Sequence, residues 1–394
     1  MLFFELLQVA IGNKKELSQV PSIEEWDKLY LLAQKQAMVG IAFRGVEQLP
    51  EMQRPPRMLL MQWYMATERI KTMNYDLNQK ALSIANEFLK EGFRSVILKG
   101  QGIAKLYRLC NDASGEKVHN CRFEETCGLQ PILVDSISEY RTPGDIDIWL
   151  EGGRKKILNY VRRHALDCNP VYHHVDFSLG DGTDVEVHFM PSWMYSPVTN
   201  FRLQRFFKRE TQNGRDVFFY SPQQQDYEGG IICGYSELPV PSYSFNRVYI
   251  LVHIYRHLFH EGIGLRQLMD YYFVLLQGFT EKERMETVRI LHSLKMERFA
   301  AAVMWILQEV FKMGSSYLIT IPNEKEGRFL LSEIMLAGNF GQYDVRLRHE
   351  KENSSLSWVL RKLKRNFRFV RSYPSEVLWS PFFKLWHYFW RRFV

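Results

Sequence analysis

The sequence predicts an α+β fold: a small mixed sheet with flanking helices, bracketed by helical regions at both ends. Three observations predict it. Strand-like stretches concentrate between Val96 and Phe189, in VILKGQGIAKLY, RTPGDIDIWL and TDVEVHF. Residues 1 to about 90 space their apolar side chains as helices do, and so does the chain from Phe245 onward. At 394 residues, 46% hydrophobic and 24% charged, the chain suits two or three domains with a substantial core. No run of 18 uninterrupted apolar residues occurs, which argues against a spanning helix. The opening MLFFELLQVAIGNKKEL holds Glu5 inside its apolar run and lacks a basic lead, so it does not read as a signal peptide. Five cysteines at irregular spacing point to a reducing, cytoplasmic location rather than a disulfide framework.

Residues 1–92 read as an N-terminal helical cap. PSIEEWDKLYLLAQKQAM begins with Pro and Ser before acidic residues, and sets Trp26, Leu29, Leu32 and Ala33 on one face. After the PEMQRPPR break, a second helix runs from Met58 to Lys90 and ends at Gly92. A core follows over 93–230. VILKGQG is a buried strand ending at Gly100 and Gly102, followed by the helix-like IAKLYRL. Such a turn lets backbone N–H groups approach phosphate oxygens, and a helix N-terminus adds partial positive charge. An insertion over about 110–138 is polar and without sustained periodicity. Its Cys110, His119, Cys121 and Cys127 are zinc-type ligands, but without a C-x2-C pair they read as part of a surface excursion.

In RTPGDIDIWL, period-two alternation sends Asp145 and Asp147 to the same face, and in TDVEVHF it does so for Asp184, Glu186 and His188. Two adjacent strands of this kind bring Asp145, Asp147 and Glu186 within reach of a common pair of divalent cations. Hard oxygen ligands suit Mg²⁺, with Mn²⁺ as the alternative. The wet face of an antiparallel hairpin would alternate in the same way. Between these strands, GGRKKILNYVRRHALDC reads as a helix with Ile157, Leu158 and Val161 inward and Arg154, Lys155, Arg162 and Arg163 solvated. YHHVDFSLGDGTDVEVHF reads as a hairpin about its GDG turn, and DVFFY as a final strand in an aromatic, basic stretch from Pro191 to Gly230.

Residues 231–345 read as a helical domain. His253 and His257 lie four apart on one helical face with His260 a turn further, and Asp270 follows on a second helix. Structural hydrogen bonding, cleft contact and metal ligation all remain open for them, since H-x3-H here lacks a metalloprotease glutamate. KERMETVRILHSLKMERFAAAVMWILQEVF fits two amphipathic helices. The tail, 346–394, is basic and aromatic. Its last 44 residues hold ten Lys or Arg and two Glu, +8 against +7 for the whole chain. RKLKRNFRFVR and FFKLWHYFWRRFV interleave cations with aromatics, so the tail suits packing on the body, an anionic membrane surface or a nucleic acid.

A Gly-bearing turn, then a DxD strand, then a further acidic strand resembles the nucleotidyltransferase superfamily that includes DNA polymerase β. More closely, LKG with a following Tyr, Arg141 shortly before DIDIW, and Glu186 two residues before His188 look like the uncharacterised nucleotidyltransferases of the type-5 class. HxxxH followed by GIGLR and Asp270 extends the likeness, which covers roughly residues 20–275.

The resemblance implies a polymerase-β-like mixed sheet and metal-dependent transfer of a nucleoside monophosphate from a triphosphate to a hydroxyl or similar acceptor, releasing pyrophosphate. It implies Asp145 and Asp147 as bridging metal ligands and Glu186 as ligand of the catalytic metal and acceptor of a proton. Lys99, Gly100, Gln101 and Arg141 would meet the nucleotide, and His188, His253, His257 and Asp270 would support the cleft. The chain departs from the pattern in three ways: 44 residues separate Gly100 from Asp145, Gln101 replaces the usual Gly or Ser, and Glu186 stands where Asp is commoner. Two alternatives stand beside it: a non-catalytic nucleotide-binding protein on the same frame, and a nucleic-acid or membrane-surface binder using its tail.

Overall fold

The computed structural model describes residues 1–111, 117–118, 132–165, 168–178, 180, 182–212, 223–227, 230–235, 237–346 and 363–391. The chain opens with helices α1 (Leu2–Ala10), α2 (Ile23–Lys35), α3 (Val39–Gln48) and the long α4 (Arg57–Lys90). A capping box of Ser22 and Glu25 starts α2, as the sequence predicts. The end of α4 is a Schellman turn. Gly92 takes φ +76°, and the amides of Gly92 and Phe93 reach Leu89 and Phe88 carbonyls at 3.0 and 2.9 Å.

Next come β1 (Ser95–Ile97), the short α5 (Gln101–Ala104), β2 (Arg108–Asn111), β3 (Lys117–Val118), β4 (Ile132–Ser136) and β5 (Ile146–Leu150). They are followed by α6 (Gly153–His164), β6 (His174–Asp176), β7 (Val185–His188), α7 (Pro197–Gln212), β8 (Gln223–Tyr227) and β9 (Gly230–Gly234). The helical remainder comprises α8 (Tyr243–His260), α9 (Leu265–Leu276), α10 (Glu281–Ser293), α11 (Glu297–Phe311), α12 (Glu324–Ala337) and α13 (Pro374–Trp390).

The central sheet is mixed, in the order β1-β5-β7-β6. β5 runs antiparallel to β1 and parallel to β7, and β6 closes the edge as the other arm of a hairpin with β7. Alternation divides its faces. Ile146, Ile148, Leu150, Val185 and Val187 join Phe88 of α4 and Ile157 and Val161 of α6 in one buried cluster. Trp149 points the other way and stacks on Phe245 of α8 at 5.8 Å, within the larger cluster that joins the N-terminal helices to α8, α9 and α11. The carboxylates of β5 and β7 therefore face α8 across a cleft.

Several local expectations change. The helix read in IAKLYRL ends at Ala104, because Tyr107 is drawn into the core, stacked 4.1 Å from Phe273, and Arg108 begins a strand. The 110–138 segment carries strands rather than a bare polar excursion: β2, β3 and β4 form a small antiparallel sheet. His119, Cys121 and Cys127, and the DVFFY strand, lie outside the described residues. The aromatic, basic stretch after Pro191, for which the sequence predicts only the DVFFY strand, also holds the helix α7. Arg154 is not on a solvated face, since its guanidinium lies over the Trp390 and Phe189 rings at 4.5 and 5.1 Å.

Candidate active site

The parallel register of β5 and β7 pairs Asp147 with Glu186, and the antiparallel register of β6 and β7 pairs Asp176 with Glu186 and His174 with His188. Side chains at paired positions share a face. Asp145 stands two residues before Asp147 and lines the cleft, while Asp147 is fully buried behind the lining, against Lys99. The cleft measures about 840 Å³, and its walls include Lys99, Asp145, Glu186, His174, Arg256 and Arg266.

Lys99 settles inward. β1 continues past Ile97, with the Leu98 amide on the Asp147 carbonyl at 2.9 Å, and this sets the Lys99 ammonium 3.2 Å from Asp145 and 3.0 Å from Asp147. Burial works against its charge, yet Asp147, Asp145 and Glu186 raise its pKa above the usual lysine range. The turn after Lys99 requires glycine. Gly100 takes φ +58°, ψ −114°, and a Cβ there would lie 3.3 Å from the Asp145 carbonyl oxygen.

His188 is held by the carboxylates. Its Nε2 lies 2.9 Å from Asp147 and 3.3 Å from Glu186. Burial opposes its charge, but the hydrogen bonds to Asp147 and Glu186 outweigh it and lift the imidazole to about 9. Glu186 moves the other way: burial raises it, while the His188 hydrogen bond and the Lys99 charge bring it down to about 2. His174 is pulled down to about 3 by burial and by the neighbouring His188. Among the described residues, three groups have ligand atoms within 4.8 Å of one another: Asp147, Glu186 and His188; His174, Asp176 and Glu186; and His173, His174 and His188.

Other expected residues turn elsewhere. Arg141 does not line the large cleft but a small neighbouring cavity with Lys99, Gly100 and Asp145. Its guanidinium makes a two-pronged pair with Asp270 of α9 at 2.7 and 2.8 Å, and the Tyr107 hydroxyl donates to the same carboxylate at 2.7 Å. Asp270 is thus a clamp between the helical region and the sheet. Gln101 donates to Asn74 and Asn78 of α4 and so braces the Gly turn from behind. The His253 and His257 rings lie 4.4 Å apart, tilted 57° to each other, on one face of α8, and burial and the neighbouring His257 push His253 well down. His257 lines the cleft together with Arg266 and Phe340.

Sequence reasoning missed Arg256, Arg266, His173, His174 and Phe340. Arg266 donates to the Thr142 and Pro143 carbonyls at 3.1 and 2.8 Å and fixes the loop that delivers Asp145. Phe340, a non-glycine residue at φ +52°, packs beneath Arg266 and beside His257. The histidines had a readable signal. Counting back from the centre of the GDG turn places His174 opposite His188 and Asp176 opposite Glu186, which is the observed register.

A mixed sheet that lifts acidic side chains from neighbouring strands into a cationic cleft, behind a glycine turn, defines the frame of a nucleotidyltransferase. The family model described as uncharacterised nucleotidyltransferase matches residues 22–111 and 137–312, and the chain belongs to that family. The unmatched 112–136 fall within the expected insertion. No curated protein and no solved structure shows a significant match.

Proposed function

We propose that the chain moves a nucleoside monophosphate from a nucleoside triphosphate to a hydroxyl or similar group of an acceptor, releasing pyrophosphate, with divalent cations held by Asp145, Asp147 and Glu186. The observation that carries this reading is the β5–β7 register, which sets Asp147 beside Glu186 at a cleft of about 840 Å³ walled by Lys99, Arg256 and Arg266. That volume suits a nucleotide-sized ligand.

The residues fit a hard cation. Asp147 Oδ2 is buried with no hydrogen bond but with the Lys99 ammonium 3.0 Å away, so this carboxylate set already gathers around a cation, and its hard oxygens suit a divalent one. Carboxylate oxygens suit Mg²⁺ and also Mn²⁺, while His188, lifted to about 9 with Nε2 against Asp147 and Glu186, orients these carboxylates. When bound, such ions offset the triphosphate charge and lower the pKa of the acceptor hydroxyl. In the transfer, the acceptor oxygen bonds to the α-phosphorus and the bond to the pyrophosphate oxygen breaks. Glu186, held near 2, stays ionised at neutral pH, a strong ligand and a weak base. It therefore relays the acceptor's proton to solvent rather than keeping it. Lys99 offsets charge at the floor, and Arg256 and Arg266 do so at the walls.

One observation favours a second reading, nucleotide binding without transfer: Lys99 bridges Asp145 and Asp147 with its own charge. Titration calorimetry with each nucleoside triphosphate, with and without Mg²⁺ or Mn²⁺, tests the first reading. Metal-dependent binding that the Asp145→Asn, Glu186→Gln variant loses is the expected result. A folded wild type that binds no triphosphate would overturn it. Pyrophosphate release by the wild type and not by Glu186→Gln rejects the second reading.

A further inference from the structure

Helix α13 uses one face on the body. Glu376 accepts hydrogen bonds from the Tyr195 and Ser196 amides, Phe383 stacks 4.2 Å from Trp193, and Trp386 and Trp390 sit edge-on to Tyr172. Beside that face runs a stripe of Leu378, Trp379, Phe382, Leu385 and Phe389, 43–65% exposed and without a charged side chain. On a helical wheel these five positions fall within about one third of the circumference. The stripe continues onto the first turns of α7, where Val198 and Phe201 are exposed and Pro197 and Asn200 share an apolar groove with Trp379 and Phe382. Water opposes so large a contiguous apolar surface.

We propose that α13 lies flat on an anionic lipid bilayer, with this stripe immersed at the headgroup boundary. Charge complementarity selects the occupant. The last 44 residues carry ten Lys or Arg against two Glu, and a cationic excess remains with Arg365 and Arg368 engaged by the body, so the apolar stripe is embedded in a strongly cationic part of the chain. Lys364 and Arg371, just before the helix, are exposed. Aromatic and leucine side chains on one face with cations around them is the composition of helices that rest in the interface plane. No helix among the described residues is long and apolar enough to cross a membrane. At about 1.5 Å per residue, the 17 residues of α13 also fall short of the hydrocarbon thickness.

A polynucleotide fits this surface less well, because the outward stripe offers no cation to phosphate. Arg365 is instead buried on the Leu258 and Glu261 carbonyls, and Arg368 is paired with Glu333. A second copy of the chain would bring one cationic tail against another. The proposal stands independently of the transferase reading.

Co-sedimentation of the full chain with vesicles tests it. Vesicles of mixed phosphatidylcholine and phosphatidylglycerol should carry the protein down, and those of phosphatidylcholine alone should do so much less. A Leu378→Ser, Phe382→Ser, Leu385→Ser, Phe389→Ser variant, unchanged in thermal unfolding, should bind the mixed vesicles at least about tenfold more weakly. Independently of any variant, brominated acyl chains in the mixed vesicles should quench wild-type tryptophan fluorescence. Absence of wild-type sedimentation overturns the proposal, and so does binding that the variant retains in full. It is equally overturned by a stripe-dependent dimer, or stripe-dependent RNA binding, in a protein that ignores vesicles.

Discussion

Lys99 stands where a cation already balances two carboxylates, 3.2 Å from Asp145 and 3.0 Å from Asp147. Replacing it by methionine leaves the fully buried Asp147 with the His188 imidazole, 2.9 Å away, as its remaining countercharge, so the cost is roughly 3 kcal/mol, the low end for a buried pair broken on one side. If a bound metal takes over that countercharge, Mn²⁺ raises the melting temperature of Lys99→Met more than that of wild type. Equal gains in thermal unfolding would mean that the ammonium and the metal do not share the site. That Asp145, Asp147 and Glu186 come together was legible in the sequence because a strand's period of two is visible in a line of letters. Arg141 was not, since its partner Asp270 is 129 positions away and local pattern says nothing of it. Gln101 was misread for a related reason: its partners lie on α4, upstream of the strand that seemed to explain it.

Between α13 and the N-terminus of α7 sits a buried carboxyl with no ion pair among the described residues. Glu376 is pushed up from 4.5 to about 7 by burial, against the opposing pull of the Tyr195 and Ser196 amides and the Thr199 hydroxyl. A carboxyl whose folded pKa exceeds its unfolded value holds more protons folded than unfolded between the two. Its contribution to stability therefore falls as pH rises from about 4.5 to about 7, and is constant outside that window. The full span is on the order of 3 kcal/mol. Chemical denaturation of wild type and Glu376→Gln across this range should show the difference in stability moving in the variant's favour as pH rises. A difference independent of pH would show that Glu376 does not titrate in the folded protein. Among the elements, α2, α4 and α6 were readable from caps and periodicity. α5 was overestimated because the pull of Tyr107 toward Phe273 is a tertiary event.

Across the whole molecule, the α+β architecture and its central mixed sheet were legible, because the apolar rhythm changes from helical to strand-like and back. The side of the sheet on which each helix packs was not, because that depends on pairings made over long separations. α4 shows the consequence: Trp63 belongs to the larger core and Phe88 to the sheet's other face, so one helix serves both. The same long-range logic gives Asp270 its weight. Asp270→Ala strands the buried Arg141 guanidinium and frees the Tyr107 hydroxyl, and should lower stability by about 3–5 kcal/mol in urea unfolding. A loss below about 1 kcal/mol, the range of exposed pairs, would show that the clamp is not closed in solution.

That clamp also bears on how such a chain can be divided or inherited. Sequence boundaries suggest a catalytic piece separable near residue 230, yet a fragment ending there would carry Arg141 without its carboxylate and Tyr107 without its ring partner Phe273. The smallest self-sufficient unit has to run through α9, and the family match, which continues to residue 312, covers that unit. Recombination that swapped the helical region for another would succeed only by bringing along an acidic residue at this one position. Sheet and helices are therefore expected to travel through evolution as a single cassette.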